Sequence, residues 1–553
     1  MIEVFLSCCL LLFCLYGFGR VVSSFLLSGR CFPHENVIVG LFFMSHLGLI
    51  LNFFFPLRAN VTLPLVMLGS VLAFIFLARE QTQIFNQWSW KRLLLCLFVL
   101  FLICGYAMSN GLYSDITAYH LPTLMRIKEY KIVIGLANLH DRFGYNSLFH
   151  LGSVVTNPFL RFESSNDLSS IVLFFVFLIS PVFLIGKTRW CAWIVRLCAL
   201  CIWGKPTFLI SLGLPATDMS SGILAILILE KLMQCLENQK ITQVDVEVLA
   251  LFFVYAVQVK LSQLFLIFPI LWVLSSLRFL PKMSLKLTLF FFLMTFPWLF
   301  RTYLLSGCLV FPLPMTCTPR WSWSMPMEEV LAIKAIIQSW ARIPLVTPQE
   351  VGDFAQWFPL WIARQFERGF FVSWVVTLGC YLISVCGFHF LKWTRQQNSN
   401  DSAITFLMFS LIPVFGLWFW QAPDLRFLYG PFIFTQGYFL SQMYGWYIEP
   451  SQWKKYVHVF AAVIALVYLQ DFLRITGTEL MQKPVLAKRF AESDRPAIIP
   501  LVSNHGLHYF VPDYAKNGEE SGCWLEHGTC ANIHRPLLSE RYWGRYRVLE
   551  SHP

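Results

Sequence analysis

Residues 247–277, EVLALFFVYAVQVKLSQLFLIFPILWVLSSL, form one apolar stretch interrupted at Lys260-Leu261-Ser262. Read as a single helix, the stretch places a lysine at bilayer depth, which is costly. Read as two short helices turning at Lys260, it frees the ammonium to face the interface. That choice sets the side on which every later loop falls. With the turn, the basic loops Arg79–Arg92, Lys187–Arg189, Arg278–Lys286, Lys392–Arg395 and Lys454–Lys455 share one side. The positive-inside rule makes that side cytoplasmic. The opposite side receives two long polar segments, 110–167 and 306–369, and the C-terminal tail 474–553. Both termini are then expected outside.

The rest of the chain supports a membrane reading. Charged residues make up 13% of the 553 positions, against about 25% in soluble domains. Apolar residues make up 57%, and the mean hydropathy is +0.61. Apolar stretches of helix-spanning length recur from end to end. They lack the alternation of barrel strands, so the fold expected is all-α and polytopic. Charged residues gather at the ends of the apolar stretches. Spans are predicted near 3–19, 37–56, 62–78, 92–109, 168–186, 190–210, 217–235, 247–259, 262–277, 286–305, 370–391, 403–421, 428–447 and 456–473, about fourteen crossings. The first lacks a basic leader and a clear small-residue cleavage site, so it is read as a span and not a signal peptide.

The net charge of +11 does not indicate nucleic acid, because the Lys and Arg residues are dispersed in short loops. The cysteines form no metal pattern, and Cys198 and Cys201 read as small core residues. This divides the chain into N-terminal spans 1–91, a membrane core 92–305 carrying the outer loop 110–167, an outer segment 306–369, C-terminal spans 370–473 and the outer tail 474–553. In the outer segment, Pro326 begins a predicted amphipathic helix with Val330, Ile333, Ile337 and Trp340 along one face. No repeat of the kind that marks many transporters is visible.

Candidate chemistry lies on the outer side. Ser114-Asp115-Ile116-Thr117-Ala118-Tyr119-His120-Leu121-Pro122 directly follows the fourth span. A carboxylate there can take a proton from an attacking hydroxyl, or simply cap a loop helix. Farther on, Arg142 and Asn146 are four apart and share a face if the segment is helical. His120 and His140 offer imidazoles, but no third ligand has diagnostic spacing. Asp218, Lys260, Arg301, Asp424 and Arg426 complete a set of ionisable residues at outer ends of spans. Cations there suit a phosphate, or they snorkel to the interface. Cys523 and Cys530 enclose a short polar turn and are expected to pair in an oxidising compartment, and Cys308 and Cys317 could form a second bridge.

The acid in the first large outer loop, the lipid-facing helices and the cation at a turn resemble the GT-C superfamily of membrane glycosyltransferases. The phrases SDITAYHLPTLMRIKEYKIVIGLANLHDRFGYNS, PATD, VKLS, PWLFRTYLLSGCLVFP, IQSWAR, APDLRF and CWLEHGTC look more narrowly like a bacterial branch of multi-pass proteins. The likeness runs from about residue 90 to the end. It implies transfer of a sugar from a polyprenyl-phosphate donor to a glycan, lipid or protein acceptor at the non-cytoplasmic face of a bacterial inner membrane. Asp115 matches the loop acid that serves as general base, and Lys260 and Arg301 are candidates for the donor phosphate. Tyr119, His120, Arg142, Asn146, Asp218, Asp424 and Arg426 complete the expected substrate site. Family loops often carry two acids close together, whereas Asp115 has no adjacent acid. No obligatory metal is therefore expected, with a divalent cation left open.

Two other classes compete. A transporter or flippase shows inverted repeats, broken helices and ionisable residues near mid-membrane, and only the break at Lys260 fits. A non-catalytic assembly subunit would tolerate loss of Asp115.

Overall fold

The computed structural model describes residues 1–29, 31–84, 90–110, 115–159, 166–203, 208–279, 285–344, 346–367, 407–445, 498–505, 508–512, 538–543 and 546–551. The predicted spans 370–391 and 456–473 and the pair Cys523–Cys530 lie outside these residues. The first four helices are α1 (Ile2–Leu26), α2 (Pro33–Phe54), α3 (Ala59–Ile84) and α4 (Trp90–Ser109). Two short helices, α5 (Leu121–Glu129) and α6 (Leu148–Thr156), lie in the first polar segment. Next come α7 (Leu168–Ile179), α8 (Gly186–Leu197), α9 (Thr217–Glu237), α10 (Gln243–Val259), α11 (Ile267–Ser276) and α12 (Leu285–Ser306). The helices α13 (Met327–Arg342), α14 (Phe354–Glu367), α15 (Ile412–Gln421) and α16 (Tyr429–Gly445) complete the set among the described residues.

Six of these helices are long and apolar enough to cross a membrane: α1, α2, α3, α4, α9 and α12. An apolar helix meets all its backbone hydrogen bonds internally, which is the requirement lipid imposes. Shorter apolar helices occupy Leu168–Phe183, Leu261–Ser276 and Leu407–Gln421. Among the described residues, the apolar stretches are helical, as expected.

Helix α9 is the centre of the bundle, buried from Met219 to Leu236 and flanked by α7, α8, α10 and α16. The N-terminal hairpin packs by close backbone approach. A Cβ on Gly19 would stand 1.8 Å from the carbonyl oxygen of Asn36, and one on Gly40 would stand 1.9 Å from that of Leu15. Only glycine permits α1 and α2 to meet this closely, as at other membrane helix interfaces.

The break at Lys260 is present. Helix α10 stops at Val259, Lys260 is extended (φ −154°, ψ 122°), and a 3-10 turn over Leu261–Leu266 leads into α11. The chain reverses there. Lys286, at the start of α12, lies over the Phe25 ring near the end of α1. Ser28 just beyond α1 hydrogen-bonds Glu247 in the first turns of α10. The beginnings of α10 and α12 therefore share one end of the bundle, and Lys260 lies at the other.

That first end is held by buried ion pairs. Lys231 bridges Glu35 at 2.9 Å and Asp245 at 2.8 Å. Charge also penetrates the bundle, which differs from the expectation that it stays at helix ends. Arg196 in α8 and Glu230 in α9 form an ion pair, and Arg196 also bonds Ser180 Oγ and the Phe177 carbonyl. A guanidinium with this many acceptors is tolerable in an apolar interior, where an unpaired one is not.

The three polar segments expected on one side do meet. The Asn138 side-chain amide donates to the carbonyls of Trp323 (2.8 Å) and Leu549 (3.2 Å), so one residue links all three. The Leu549 carbonyl belongs to the tail, whose described residues form two antiparallel strand pairs. These pair β1 (Ile498–Val502) with β2 (His508–Pro512), and β3 (Leu538–Trp543) with β4 (Tyr546–Ser551). Cys308 and Cys317 form a disulfide in the 306–344 segment. Helix α13 begins after Pro326 as expected and buries Val330 and Ile333.

Candidate functional site

Asp115 stands at the head of a π-helical turn over Ile116–His120 that runs directly into α5. The Leu121 amide reaches back five residues to the Ile116 carbonyl, and the next residue, Pro122, has no amide hydrogen to continue the ladder. Such wide turns recur at functional sites because they re-aim side chains.

Each oxygen of Asp115 accepts a different guanidinium. Oδ1 takes Arg142 Nη1 at 3.1 Å, and Oδ2 takes Arg426 Nη1 at 2.9 Å. Arg142 comes from a 3-10 turn over Asp141–Gly144 that directly follows His140. Its guanidinium lies 4.8 Å from the centre of the Tyr119 ring. The helix imagined through Arg142 and Asn146 is not formed, because the turn ends at Gly144 and Tyr145 is extended. The two side chains accordingly diverge.

Arg426 comes from a 3-10 turn over Leu425–Phe427 whose first amide partner is Asp424. Asp424 Oδ1 accepts the Arg426 backbone amide at 3.0 Å, and its carboxylate also holds the Arg426 side chain. Two buried indoles fix this loop: Trp361 donates to the Pro423 carbonyl and Trp418 to the Asp424 carbonyl, both at 2.8 Å. Lys260 pairs with Asp218 in the first turn of α9 and lies 4.4 Å from the Phe427 ring centre. Lys260 Nζ also reaches the Arg426 carbonyl at 3.4 Å.

The structure thus brings Asp115, Tyr119, Arg142, Asp218, Lys260, Asp424 and Arg426 together. The cluster is partly open: side-chain exposure is 25% at Asp115, 39% at Arg142 and 33% at Arg426. It is also charge-balanced, with three carboxylates facing three cations. Asp424 raises the pKa of Arg426 well above the ordinary arginine range, and Asp218 and Asp115 add to the effect. Burial opposes ionisation of Asp424, but Arg426 holds its carboxyl below the usual range. Burial raises the Tyr119 phenol well above its ordinary value, with the Asp115 charge acting in the same direction.

The remaining candidates lie beside the cluster. His120 Nδ1 meets His150 Nε2 at 2.9 Å, and His120 is 5% exposed. Burial depresses its pKa well below that of a free imidazole, and His150, Arg142, Lys260 and Arg426 depress it further. His140 instead pairs with Asp141 at 2.9 Å. That contact outweighs burial and holds the Asp141 carboxyl at about 2. The two histidines considered as a metal pair thus have different partners. Among the described residues, no three His, Cys, Asp or Glu side chains converge as a metal site.

Arg301 and Asn146 turn inward. Arg301 Nη1 donates to Asn146 Oδ1 at 2.5 Å, and the Asn146 amide donates to the Trp298 carbonyl at 2.8 Å and to Thr302 Oγ1 at 3.0 Å. Arg301 is 5% exposed and reaches Asn52 Oδ1 at 3.5 Å. These bonds pin the polar segment to α12. The adjacent Ser147 hydroxyl pins it to the end of α10 through the Val259 carbonyl at 2.9 Å. His150, Trp361 and Trp418 were not expected at the site. The partners of His150 and Trp361 are distant in sequence, and Trp418, only six residues from Asp424, carries no helical or turn spacing that announces its contact.

An α-helical membrane protein with a partly open ion-pair cluster at one end of its bundle is the class defined here. The family model described as "Domain of unknown function (DUF8201)" matches residues 1–433, and the chain belongs to that family. No curated protein and no solved structure matches the chain.

Proposed function

We propose that the chain is a GT-C-like membrane glycosyltransferase of about fourteen spans. It transfers a sugar from a polyprenyl-phosphate donor to an acceptor hydroxyl at the non-cytoplasmic face of a bacterial inner membrane. The observation that carries this reading is the shared location of Asp115 with Arg142, Lys260 and Arg426 in one solvent-reachable cluster at a helix end. A base and a set of cations within reach of each other suit the two demands of glycosyl transfer.

The acceptor oxygen attacks the anomeric carbon, and its proton passes to the Asp115 carboxylate. The bond between the anomeric carbon and the phosphate oxygen breaks, and the polyprenyl phosphate leaves with the electron pair. Charge growing on that oxygen is met by the cations that the fold gathers at this site. Arginine suits this role because its planar fork matches a phosphate edge. Arg301, enclosed by Asn146 and Asn52, is assigned to holding the loop against α12.

The test is lipid-linked oligosaccharide and surface-glycan analysis of a deletion strain complemented with wild type, Asp115→Asn or Asp115→Ala. Loss of product at normal membrane abundance is expected for both variants. Wild-type amounts of glycan from either would remove Asp115 as the base. Activity in the presence of a chelator decides whether a divalent cation takes part.

The helix break at Lys260 favours one second reading, a transporter or flippase for a lipid-linked substrate. Substrate flux across vesicles, retained or lost independently of glycan transfer, separates the two.

A further inference from the structure

Each cation of the cluster already holds a carboxylate, and Asp115 has a guanidinium on each oxygen. A proton acceptor needs an oxygen turned toward the incoming hydroxyl. A phosphate-binding arginine needs its N–H groups turned toward the ligand. As arranged, neither Asp115 nor its two arginines is free for such a task, and one exchange of partners frees all three.

We propose that Asp115 and the phosphate of an anionic donor compete for the same two guanidiniums, so that donor binding releases the Asp115 carboxylate to accept the acceptor's proton. The identity of the donor rests on the glycosyltransferase reading, whereas the competition requires only an anion of phosphate chemistry.

Three features fit an exchange. The Asp115 pairs are partly exposed, at 25% for the acid and 39% and 33% for the two arginines, and ion pairs of this kind are weakly held. Both arginines have anchors besides Asp115. Arg142 lies against the Tyr119 ring, and Arg426 retains Asp424, which is only 6% exposed and fixed by the Trp418 contact to its carbonyl. Their guanidiniums therefore stay in place when Asp115 lets go. The exchange also preserves charge balance, since an anion arrives where an anion withdraws. Phosphate has the further advantage of accepting both edges of a guanidinium fork.

The experiment is calorimetric titration of the full chain in nanodiscs with inorganic pyrophosphate at fixed ionic strength. Competition predicts that Asp115→Asn and Asp115→Ala bind the probe about tenfold more tightly than wild type, because a rival acceptor has been removed. Arg142→Gln and Arg426→Gln are expected to bind it at least about tenfold more weakly. Asp141→Asn, which removes a nearby charge paired with His140, sets the baseline for general electrostatics. Size-exclusion behaviour and melting temperature confirm that each variant is folded.

Equal or weaker binding by the two Asp115 variants overturns the proposal, because Asp115 would then help to hold the anion. An equal gain in Asp141→Asn overturns it too, as does absence of binding by wild type and Asp115 variants alike. None of these outcomes decides the transfer reading, which is judged by glycan output. Tight binding by Asp115→Asn together with normal glycan output would keep the competition and remove the base.

Discussion

Arg426 Nη1 donates to Asp115 Oδ2 at 2.9 Å across 311 residues of chain. The contact joins the turn after α4 to the loop between α15 and α16, and Arg426 is also tied to Asp424 in its own loop. One guanidinium therefore orders two segments that hydropathy treats as unrelated loops.

On the glycosyltransferase reading, Arg426→Gln should reduce glycan transfer by about 10²-fold or more, the scale seen when one preorganised donor to a developing charge is removed. Arg426→Lys keeps the charge but loses the fork, so it should fall between wild type and Gln. Product yield per unit of membrane-inserted protein measures both. A Gln variant with undiminished yield would place Arg426 outside the reaction.

Stability should decline as pH falls below about 6.5, the ordinary imidazole value. The folded His120 is held well below that value by burial and by His150. As pH falls, the unfolded chain therefore takes up a proton that the folded chain refuses, and the folded state loses ground. One such group contributes at most about 1.4 kcal/mol per pH unit within the window. Melting in detergent between pH 8 and pH 5 (about the range over which imidazole titrates) should show a shallower loss for His120→Gln than for wild type.

Asn146→Ala should destabilise the chain by about 2–3 kcal/mol, the scale of hydrogen bonds to charged groups plus an orphaned buried donor. The change removes the acceptor of Arg301 and the amide that binds Trp298 and Thr302. Melting temperature reports the loss. Full stability in the alanine variant would mean that α12 and the polar segment dock by apolar contact alone.

The Cys308–Cys317 disulfide should survive purification without reductant and appear as a linked peptide pair in non-reducing mass spectrometry. A bridge closing so short a loop contributes about 2–3 kcal/mol in the chain-entropy model. Cys308→Ser with Cys317→Ser should lower the melting temperature accordingly. Because such bonds persist in oxidising compartments, alkylation of both native thiols would place this segment on the cytoplasmic side.

Much of the architecture is legible locally. A lysine in the middle of an apolar stretch is a local conflict with lipid, and the helix break at Lys260 resolves it within a few residues. Pro326 similarly announces α13, because a proline suits the entry to a helix and the apolar spacing that follows defines one face. The Arg196–Glu230 pair was not legible, since each charge alone looks like a conflict and only the partner removes it. The divergence of Arg142 and Asn146 was equally hidden. Their four-residue spacing has meaning only on a helix, and the 3-10 turn ends between them.

The sequence by itself determined the helical character of the apolar stretches, the reversal at Lys260 and the gathering of several ionisable residues at helix ends. Hydropathy, backbone satisfaction in lipid and the cost of buried charge are properties of neighbouring residues, so they act without knowledge of the fold. Only the tertiary structure decided which of those residues meet. It placed Arg426 and Arg142 on Asp115, Lys260 on Asp218 and His120 on His150, and it turned Arg301 inward to Asn146. Ion pairs and hydrogen bonds have a reach of a few ångströms, and packing of α9, α10, α12 and the loop after α15 sets which groups come within it.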